Sequence, residues 1–201
     1  MKFVNWKNSP TKVFDTLEST QDTAYENFKN TATKKEVLWI RAGSQSKGRG
    51  SRDRVWENSR QENSQLLVSA AFQWPAEVDI NPCMTLMAGW SLWTCISRLL
   101  NSTDNKSLFM KWPNDIYVHE SGRDKKISGI LSELKSDRIM VIGWGLNLLG
   151  QAPLPTATTL ESAFNNTLWS LEKIETALKE NFLDLLNRFF LKPSESLAST
   201  I

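Results

Sequence analysis

The chain has 201 residues, of which 40% are hydrophobic and 23% charged, and its formal net charge is +2. This length and composition are ordinary for one globular domain with a substantial core. We therefore expect a single domain over residues 1–201, with its core at about 12–190. Such a small net charge gives no electrostatic reason to expect a nucleic acid or a membrane surface as partner.

Targeting signals and metal-binding patterns are not evident in the sequence. Residues 1–10 contain no apolar run typical of a secretory signal, and the most apolar segment, 83–100, is interrupted by polar residues. We therefore expect a cytoplasmic protein. One histidine and two distant cysteines leave few ligands for zinc or iron. Cys83 and Cys95 are spaced as two residues of one helix rather than as a disulfide.

The sequence predicts seven strands and three helices. Extended apolar runs predict strands at 12–17, 37–42, 65–74, 108–112, 116–118, 127–134 and 139–148. A helix is predicted to begin at Ser19 or Thr20, either of which is a good N-cap. A second helix is predicted from Asn81-Pro82 to about Leu100. A third, amphipathic helix is predicted over about 170–190, and 121–124 is predicted to be a hairpin turn.

A basic loop follows the second predicted strand. Gly48 and Gly50 flank Arg49, so the backbone there can present N–H groups to an anion such as a phosphate or carboxylate. Four cations lie in this loop: Lys47, Arg49, Arg52 and Arg54. Trp56 offers a ring on which a flat heterocycle could stack. The pattern is not a Walker loop, and by itself a solvated basic loop explains it as well.

Polar residues also lie around the break between the predicted strands at 108–112 and 116–118. Lys111, Asn114 and Asp115 surround Pro113, which is consistent with a polar site at a sheet edge or with a simple turn. Gly129 lies inside a predicted strand, where glycine often marks the close approach of a ligand or another backbone. Most of the nine tryptophans are expected in the core, and Trp112 and Trp144 are assigned to packing.

Five motifs occur in one order along the chain: Ser19-Thr20, the loop 45–56, Lys111–Tyr117 (KWPNDIY), Lys126–Glu133 (KISGILSE) and Gly143–Asn147 (GWGLN). This order resembles the catalytic domain of biotin protein ligase over roughly residues 12–190. The two middle motifs are highly specific, whereas G-R-G alone is weak. The resemblance implies an α+β fold with a mixed β-sheet flanked by helices, like the core of class II aminoacyl-tRNA synthetases. Within this length we expect no N-terminal helix-turn-helix and no C-terminal β-barrel.

The activity that the resemblance implies has two steps. The carboxylate of biotin attacks the α-phosphate of ATP, with Mg²⁺ present, to give biotinyl-5′-AMP and pyrophosphate. A lysine of a biotin carboxyl carrier protein, a subunit of acetyl-CoA carboxylase, then takes the biotinyl group. The implied partners are thus biotin, ATP and the carrier domain, without nucleic acid or membrane, and the enzyme is expected to be a monomer or a homodimer.

Three other functions compete with this interpretation. The nearest is a lipoate or octanoate ligase or transferase, which shares the fold. A nucleic-acid-binding module using the loop at 47–54 is a second, and the weak overall charge argues against it. A biotin-binding protein without catalytic activity is a third.

The resemblance also implies roles for individual residues. Those implied to bind biotin are Ser19, Thr20, Gln45, Gly48, Arg49 and Gly129. Those implied to bind ATP or the adenylate are Gly50, Ser51, Arg52, Arg54, Trp56, Lys111, Asn114, Lys126 and Asn147. Arg49, Lys126 and Asp115 are implied to be catalytic. Asp115 either holds Mg²⁺ or orients the incoming amine, and no tightly bound, protein-ligated metal is expected.

The loop departs from the family pattern at two positions. Family loops usually read G-R-G-R-x-G-R-x-W, whereas Ser51 stands here in place of the second arginine and Asp53 in place of the following glycine. We hypothesise that the biotinyl-AMP intermediate therefore escapes more readily, with Arg52 or Arg54 partly compensating.

Overall fold

A computed structural model describes residues 9, 11–31, 36–51, 54–59, 61–76, 78–79, 83–100, 107–164 and 169–191. In this part of the chain the strands are β1 (Thr11–Leu17), β2 (Leu38–Gln45), β3 (Gln65–Gln73), β4 (Leu108–Lys111), β5 (Asp115–Glu120), β6 (Arg123–Leu134) and β7 (Ile139–Asn147). The helices are α1 (Thr20–Lys29), α2 (Cys83–Leu99), α3 (Leu160–Phe164) and α4 (Leu171–Leu191). None of the helices so described is long and apolar enough to cross a membrane.

The strands form one sheet in the order β1-β2-β3-β7-β6-β5-β4. β1 and β2 are parallel, and the other neighbouring pairs are antiparallel. The predicted mixed sheet flanked by helices is thereby confirmed. The central strands β3 and β7 pair along their whole length, from Gln65 opposite Asn147 to Gln73 opposite Ile139.

The larger core lies on the face of the sheet covered by α2 and α4. Trp39 and Trp144 stack with ring centroids 5.7 Å apart, and Phe182 of α4 meets Trp144 edge-on at 4.9 Å. All three side chains are fully buried, and each contributes about 1.5–3 kcal/mol or more by leaving water. The Trp144 Nε1–H donates to the carbonyl of Ala88 in α2. The prediction that Trp144 serves packing is therefore confirmed.

Helix α1 covers part of the opposite face. Ser19 caps it, accepting the N–H of Asp22 at 3.5 Å, which confirms one of the two predicted caps. Phe28 packs with Val141 of β7 in a second, smaller core. Because side chains alternate along a strand, Gly143 and Gly145 lie on the same face of β7 as Val141, beyond the start of α1. With no side chains there, the side chains of Gln21 and Trp56 approach the strand closely, and a hollow lies beside them above the sheet.

Two local predictions are wrong. β6 begins at Arg123 rather than at 127, because the hairpin turn consists only of Ser121 and Gly122, both with positive φ (50° and 76°), as in tight two-residue hairpins. Trp112 does not pack in the core, since 73% of its surface is exposed. The predicted helix start at 81–82 lies outside the described residues.

Candidate functional site

The hollow above β7 is a cavity of about 240 Å³. The start of α1, the loop after β2, strands β5 to β7 and the segment at 153–157 form its wall. The structure brings most of the predicted site residues to this wall: Ser19, Thr20, Gln45, Arg49, Gly50, Ser51, Arg54, Trp56, Asn114, Asp115, Lys126, Gly129 and Asn147. Gly48 and Lys111 are not part of the wall, and Arg52 lies outside the described residues.

One end of the cavity is a buried set of polar groups. The Thr20 hydroxyl donates to Gln45 Oε1 at 2.9 Å, and the Thr20 backbone N–H reaches the same oxygen at 2.7 Å. The Ser69 hydroxyl of β3 donates in turn to Thr20 Oγ1 at 2.8 Å. All three residues are buried, so each of these bonds is costly to break without replacement. This network fixes Thr20 and Gln45 in one orientation towards the cavity.

Gln21 also lines this end, and the sequence analysis did not identify it. Its side-chain N–H₂ lies 3.3 Å from both the Leu131 carbonyl and Glu133 Oε2. Its Oε1 is buried and has no hydrogen-bond partner among the described residues. A polar residue in the first turn of a helix is usually solvated, so only the neighbouring strands reveal that this amide faces inward.

The basic loop is folded back against its own start and against the end of β1. The N–H groups of Ser46 and Lys47 donate to the carbonyls of Leu17 and Glu18, both at 2.8 Å. The Trp56 N–H donates to the Gly48 carbonyl at 2.9 Å. A Cβ added at Gly48 would lie only 2.9 Å from the Trp56 carbonyl oxygen. Gly48 therefore lies behind the cavity wall and permits the loop to close on itself.

Arg49 extends from this loop across the cavity mouth to two carboxylates. Its Nη2 lies 2.7 Å from Asp22 Oδ1 in α1 and 3.0 Å from Glu133 Oε2 in β6. Its Nη1 donates to Glu133 Oε1 at 3.2 Å. Glu133 lies in the KISGILSE motif but was not predicted as a site residue. The guanidinium is thus held at the cavity wall by paired charges.

Trp56 lies flat over the glycines of the central strands. A Cβ added at Gly145 would lie 2.6 to 2.9 Å from three atoms of its indole ring, and one at Gly129 would lie 3.1 Å from Trp56 Cζ3. Its Nε1 is buried and makes no hydrogen bond within the part of the chain that is described. Gly129 and Gly145 are paired neighbours in β6 and β7. Their lack of side chains gives the ring its place against the sheet.

Lys126 and Asp115 form an ion pair in the wall. Lys126 Nζ lies 2.7 Å from Asp115 Oδ1, and the two side chains are 26% and 12% exposed. The backbone of Lys126 also bonds the segment after Pro155, through Thr156 O at 3.1 Å and Thr158 N at 3.0 Å. This segment therefore pairs with β6 beside the cavity.

Three further side chains of the wall, those of Ser51, Asn114 and Asn147, are fixed by hydrogen bonds. Asn114 Nδ2 donates to the Ile130 carbonyl at 3.0 Å and lies 3.3 Å from Ser51 Oγ. Asn147 Oδ1 accepts from Gln65 Nε2 at 2.8 Å, and both residues are buried. Ser51 therefore connects the basic loop to the turn before β5. Asp53, the second departure from the family loop, lies outside the described residues.

Arg54 and Lys111 each contact a residue that lines the cavity. The guanidinium of Arg54 folds back on Ser51, with Nε 3.1 Å from its carbonyl and Nη2 2.9 Å from its hydroxyl. Lys111 is exposed at the end of β4, with Nζ 4.4 Å from the centroid of Tyr117, a ring that lines the cavity. One aromatic ring thus separates Lys111 from the cavity.

The arrangement combines a buried polar end, a flat aromatic surface and three cationic side chains, those of Arg49, Arg54 and Lys126, in the wall. Such a site can bind a ligand with a polar head and an anionic centre. The described residues contain no group of three or more His, Cys, Asp or Glu side chains placed to hold a metal ion.

Comparison with known proteins agrees with this geometry. Residues 13–147 match the model of the family described as "Biotin/lipoate A/B protein ligase family". The chain is 33% identical over 139 residues to the bifunctional ligase/repressor BirA of Bacillus subtilis, a match covering 67% of this chain and 39% of that protein. It therefore spans about two fifths of the length of this curated relative.

Two solved structures have similar folds. Biotin protein ligase from Aquifex aeolicus, in complex with biotin and ATP, is 26% identical with a TM-score of 0.71, covering 90% of this chain and 72% of that one. Biotin protein ligase from Leishmania major, in complex with biotinyl-5-AMP, is 20% identical with a TM-score of 0.72, covering 89% and 75% respectively. The second likeness shows the fold alone.

Proposed function

Because this chain belongs to the biotin/lipoate A/B protein ligase family, we propose that it is an ATP-dependent ligase. It activates biotin as biotinyl-5′-AMP and transfers the biotinyl group to a lysine of a biotin carboxyl carrier domain. A cytoplasmic location is part of the same proposal. The observation that carries it is the convergence of Arg49 and Lys126 on one cavity that also has a buried polar end.

The first step joins two anions, so it needs fixed positive charge. A carboxylate oxygen of biotin attacks the α-phosphorus, the bond to the β-phosphate oxygen breaks, and pyrophosphate leaves. Lys126 and Arg49 are the cations of the wall that we assign to this junction. The partly buried position of Lys126, which is 26% exposed, strengthens its electrostatic effect compared with that of a solvated lysine.

The second step needs a neutral amine and a place for its proton. The acceptor lysine nitrogen attacks the acyl carbon, AMP leaves, and the amine proton must be taken up. Asp115 is the carboxylate of the wall next to Lys126, and orienting this amine is one of its two proposed roles. Binding Mg²⁺ is the other proposed role of Asp115. Mg²⁺ usually takes one or two carboxylates together with phosphate oxygens, and Asp115 would offer one such carboxylate if the metal replaced Lys126 as the partner of its Oδ1. When bound, the metal would neutralise phosphate charge.

The polar end supports biotin over lipoate as substrate. A ureido group has donors and an acceptor that must all be satisfied when buried. Ser19, Thr20 and Gln45 offer hydroxyl and amide groups in one place. An apolar dithiolane could not pair with Gln21 Oε1, which is buried beside these groups and has no hydrogen-bond partner among the described residues, and an unpaired buried polar atom costs about 1–3 kcal/mol.

The adenine is proposed to stack on Trp56, with Asn114 and Asn147 near its edge. The ring of Trp56 lies over Gly129 and Gly145 beside Lys126, which supports an adenylate running along the central strands. Ser51 and Arg54 border the same part of the wall. For Lys111, which the wall does not include, we propose contact with the outer phosphates at the mouth.

The direct test is incubation with ATP, biotin and a carrier domain, read by streptavidin blot. We expect biotinylation that depends on all three additions. Thermal shift with biotin plus ATP is expected to exceed that with lipoate plus ATP, because a ligand at 100 times its Kd stabilises by about 2.7 kcal/mol. A larger shift with lipoate, or no labelling of any carrier, would contradict the proposal.

A further inference from the structure

In the proposed function, Arg49 supplies positive charge where the carboxylate and the phosphate react. The carboxylates paired with Arg49, those of Asp22 and Glu133, have no role in it yet. We propose that Glu133 is a positioning residue that fixes Arg49, and with it the described residues of the loop at 46–56, to the cavity wall. The anchoring is argued from contacts within the protein. Its consequence, tighter binding of the carboxylate substrate, rests on the proposed function.

Glu133 joins three separate parts of the chain. Its two carboxylate oxygens accept from Nη1 and Nη2 of Arg49, a residue 84 positions away, at 3.2 and 3.0 Å. Oε2 also lies 3.3 Å from Gln21 Nε2 in α1 and 3.3 Å from Nζ of Lys135, which directly follows the end of β6. Paired oxygens facing paired guanidinium nitrogens give a bidentate contact, which fixes direction as well as distance.

Other ion pairs of the loop are less suited to this role. Lys47 and Glu18 lie 3.0 Å apart, but about 70% of each side chain is exposed, and such pairs contribute little. Asp22 is 57% exposed, whereas Glu133 is only 24% exposed. Glu133 is also fixed within the paired strand β6, opposite Val141 of β7. The better shielded and more rigid carboxylate is the anchor, and Asp22 assists it.

The anchor leaves Arg49 able to bind a ligand. A guanidinium has five N–H donors, and the contacts to Glu133 and Asp22 use three of them. The formal charges of Arg49, Lys135, Asp22 and Glu133 sum to zero, so an approaching carboxylate meets no net repulsion from this group. If the carboxylates instead competed with the substrate for Arg49, removing Glu133 would strengthen binding of the carboxylate substrate.

Limited trypsin digestion of the ligand-free protein tests the anchor without assuming any activity. The loop carries trypsin sites at Lys47, Arg49, Arg52 and Arg54. In Glu133→Gln we expect cleavage within 46–56 to be roughly 10- to 100-fold faster, as the loss of charge-assisted bonds implies. Glu120→Gln is the matched control, because Glu120 is 27% exposed and paired with Lys125 at 3.0 Å, away from the loop. It should cleave at the wild-type rate.

A second variant and a kinetic measurement complete the test. Arg49→Lys keeps the positive charge but loses the paired guanidinium nitrogens that bind Glu133. Its loop should therefore be cleaved as fast as the loop of Glu133→Gln. The double variant should be cleaved no faster than either single variant. In Glu133→Gln, KM for biotin should rise about tenfold or more while KM for ATP stays within about twofold, and Glu133→Asp should partly restore it. Equal cleavage of Glu133→Gln and wild type, or a lower KM for biotin, would overturn the proposal. Faster loop cleavage together with a wild type that makes no biotinyl-AMP would instead refute the proposed function and leave the anchor standing.

Discussion

Lys126 Nζ and Asp115 Oδ1 lie 2.7 Å apart, on neighbouring strands and in the wall of the same cavity. Asp115 is the more buried partner, at 12% exposure. The pair therefore places a cation and a carboxylate side by side where water has limited access, and neither group can be removed without altering the charge of the other's surroundings.

Replacing Lys126 by methionine should lower the rate of adenylate formation by roughly 10²–10³-fold, since the fixed charge at the reacting phosphate is lost. Release of pyrophosphate with biotin and ATP measures this step. Lys125→Met is the control: Lys125 precedes it in β6 and pairs with Glu120 at 3.0 Å. Similar rates in the two variants would show that Lys126 has no special role.

Thr20→Val should weaken biotin binding by roughly tenfold or more, because the hydroxyl joins Ser69 to Gln45 inside the protein and a buried polar group left without its partner costs about 1–3 kcal/mol. Calorimetric titration with biotin is the measurement. Thr16→Val removes a comparable contact, Thr16 Oγ1 to Ser44 Oγ at 2.9 Å, at an exposed position. If both substitutions change biotin affinity equally, the buried network is not part of the binding site.

Gly145→Ala should raise KM for ATP about tenfold or more, because its Cβ would overlap the indole ring of Trp56 at 2.6 Å and displace the ring from the sheet. A double-mutant cycle checks the cause. In a Trp56→Ala background the same substitution should add little. Full additivity of the two effects would mean that Gly145 acts independently of Trp56.

Ser51→Arg should slow the release of biotinyl-AMP by roughly 10-fold, since it supplies one further charge-assisted contact to phosphate. Ser51→Ala should speed release, because the hydroxyl holds Arg54 and Asn114. Gel filtration of labelled intermediate measures the rate. Equal release from wild type and Ser51→Arg would disprove the hypothesis that this position weakens retention.

The free energy of unfolding should fall between pH 9 and pH 12 because of Cys95. Burial raises the pKa of its thiol from 9.0 to about 12, despite an opposing effect of Arg98. Above pH 9 the unfolded chain ionises while the folded thiol stays protonated, so stability is lost at up to about 1.4 kcal/mol per pH unit. Urea unfolding at pH 8, 9 and 10 measures this slope.

Cys95→Ala should remove that part of the slope, whereas alanine at the exposed Cys83 should leave it unchanged. Burial lowers the pKa of Lys179, although Glu175 opposes the shift. The folded state therefore loses this proton at a lower pH than the unfolded state, which makes the free energy of unfolding rise with pH in every variant. Only differences between variants are therefore compared. Identical slopes for wild type and Cys95→Ala would contradict the assignment.

The sequence by itself predicted the seven strands, the helices α1, α2 and α4 but not the short α3, and the chemistry of the motifs. The extended apolar run along 139–147 and the serine before α1 are local signals, and local signals set local conformation. The motif order also predicted most of the cavity wall, because residues that bind one ligand must occur together whatever the path of the chain between them.

The tertiary structure alone decided which residues meet across the sheet. Gln21 meets the cavity and Glu133 only because α1 packs over β2, β3 and β7, and no spacing along the chain encodes that contact. Trp112 is exposed although its size favours the core, since burial depends on what lies opposite a side chain. The fit of Trp56 over Gly145 likewise depends on a loop and a strand nearly 90 residues apart in the sequence.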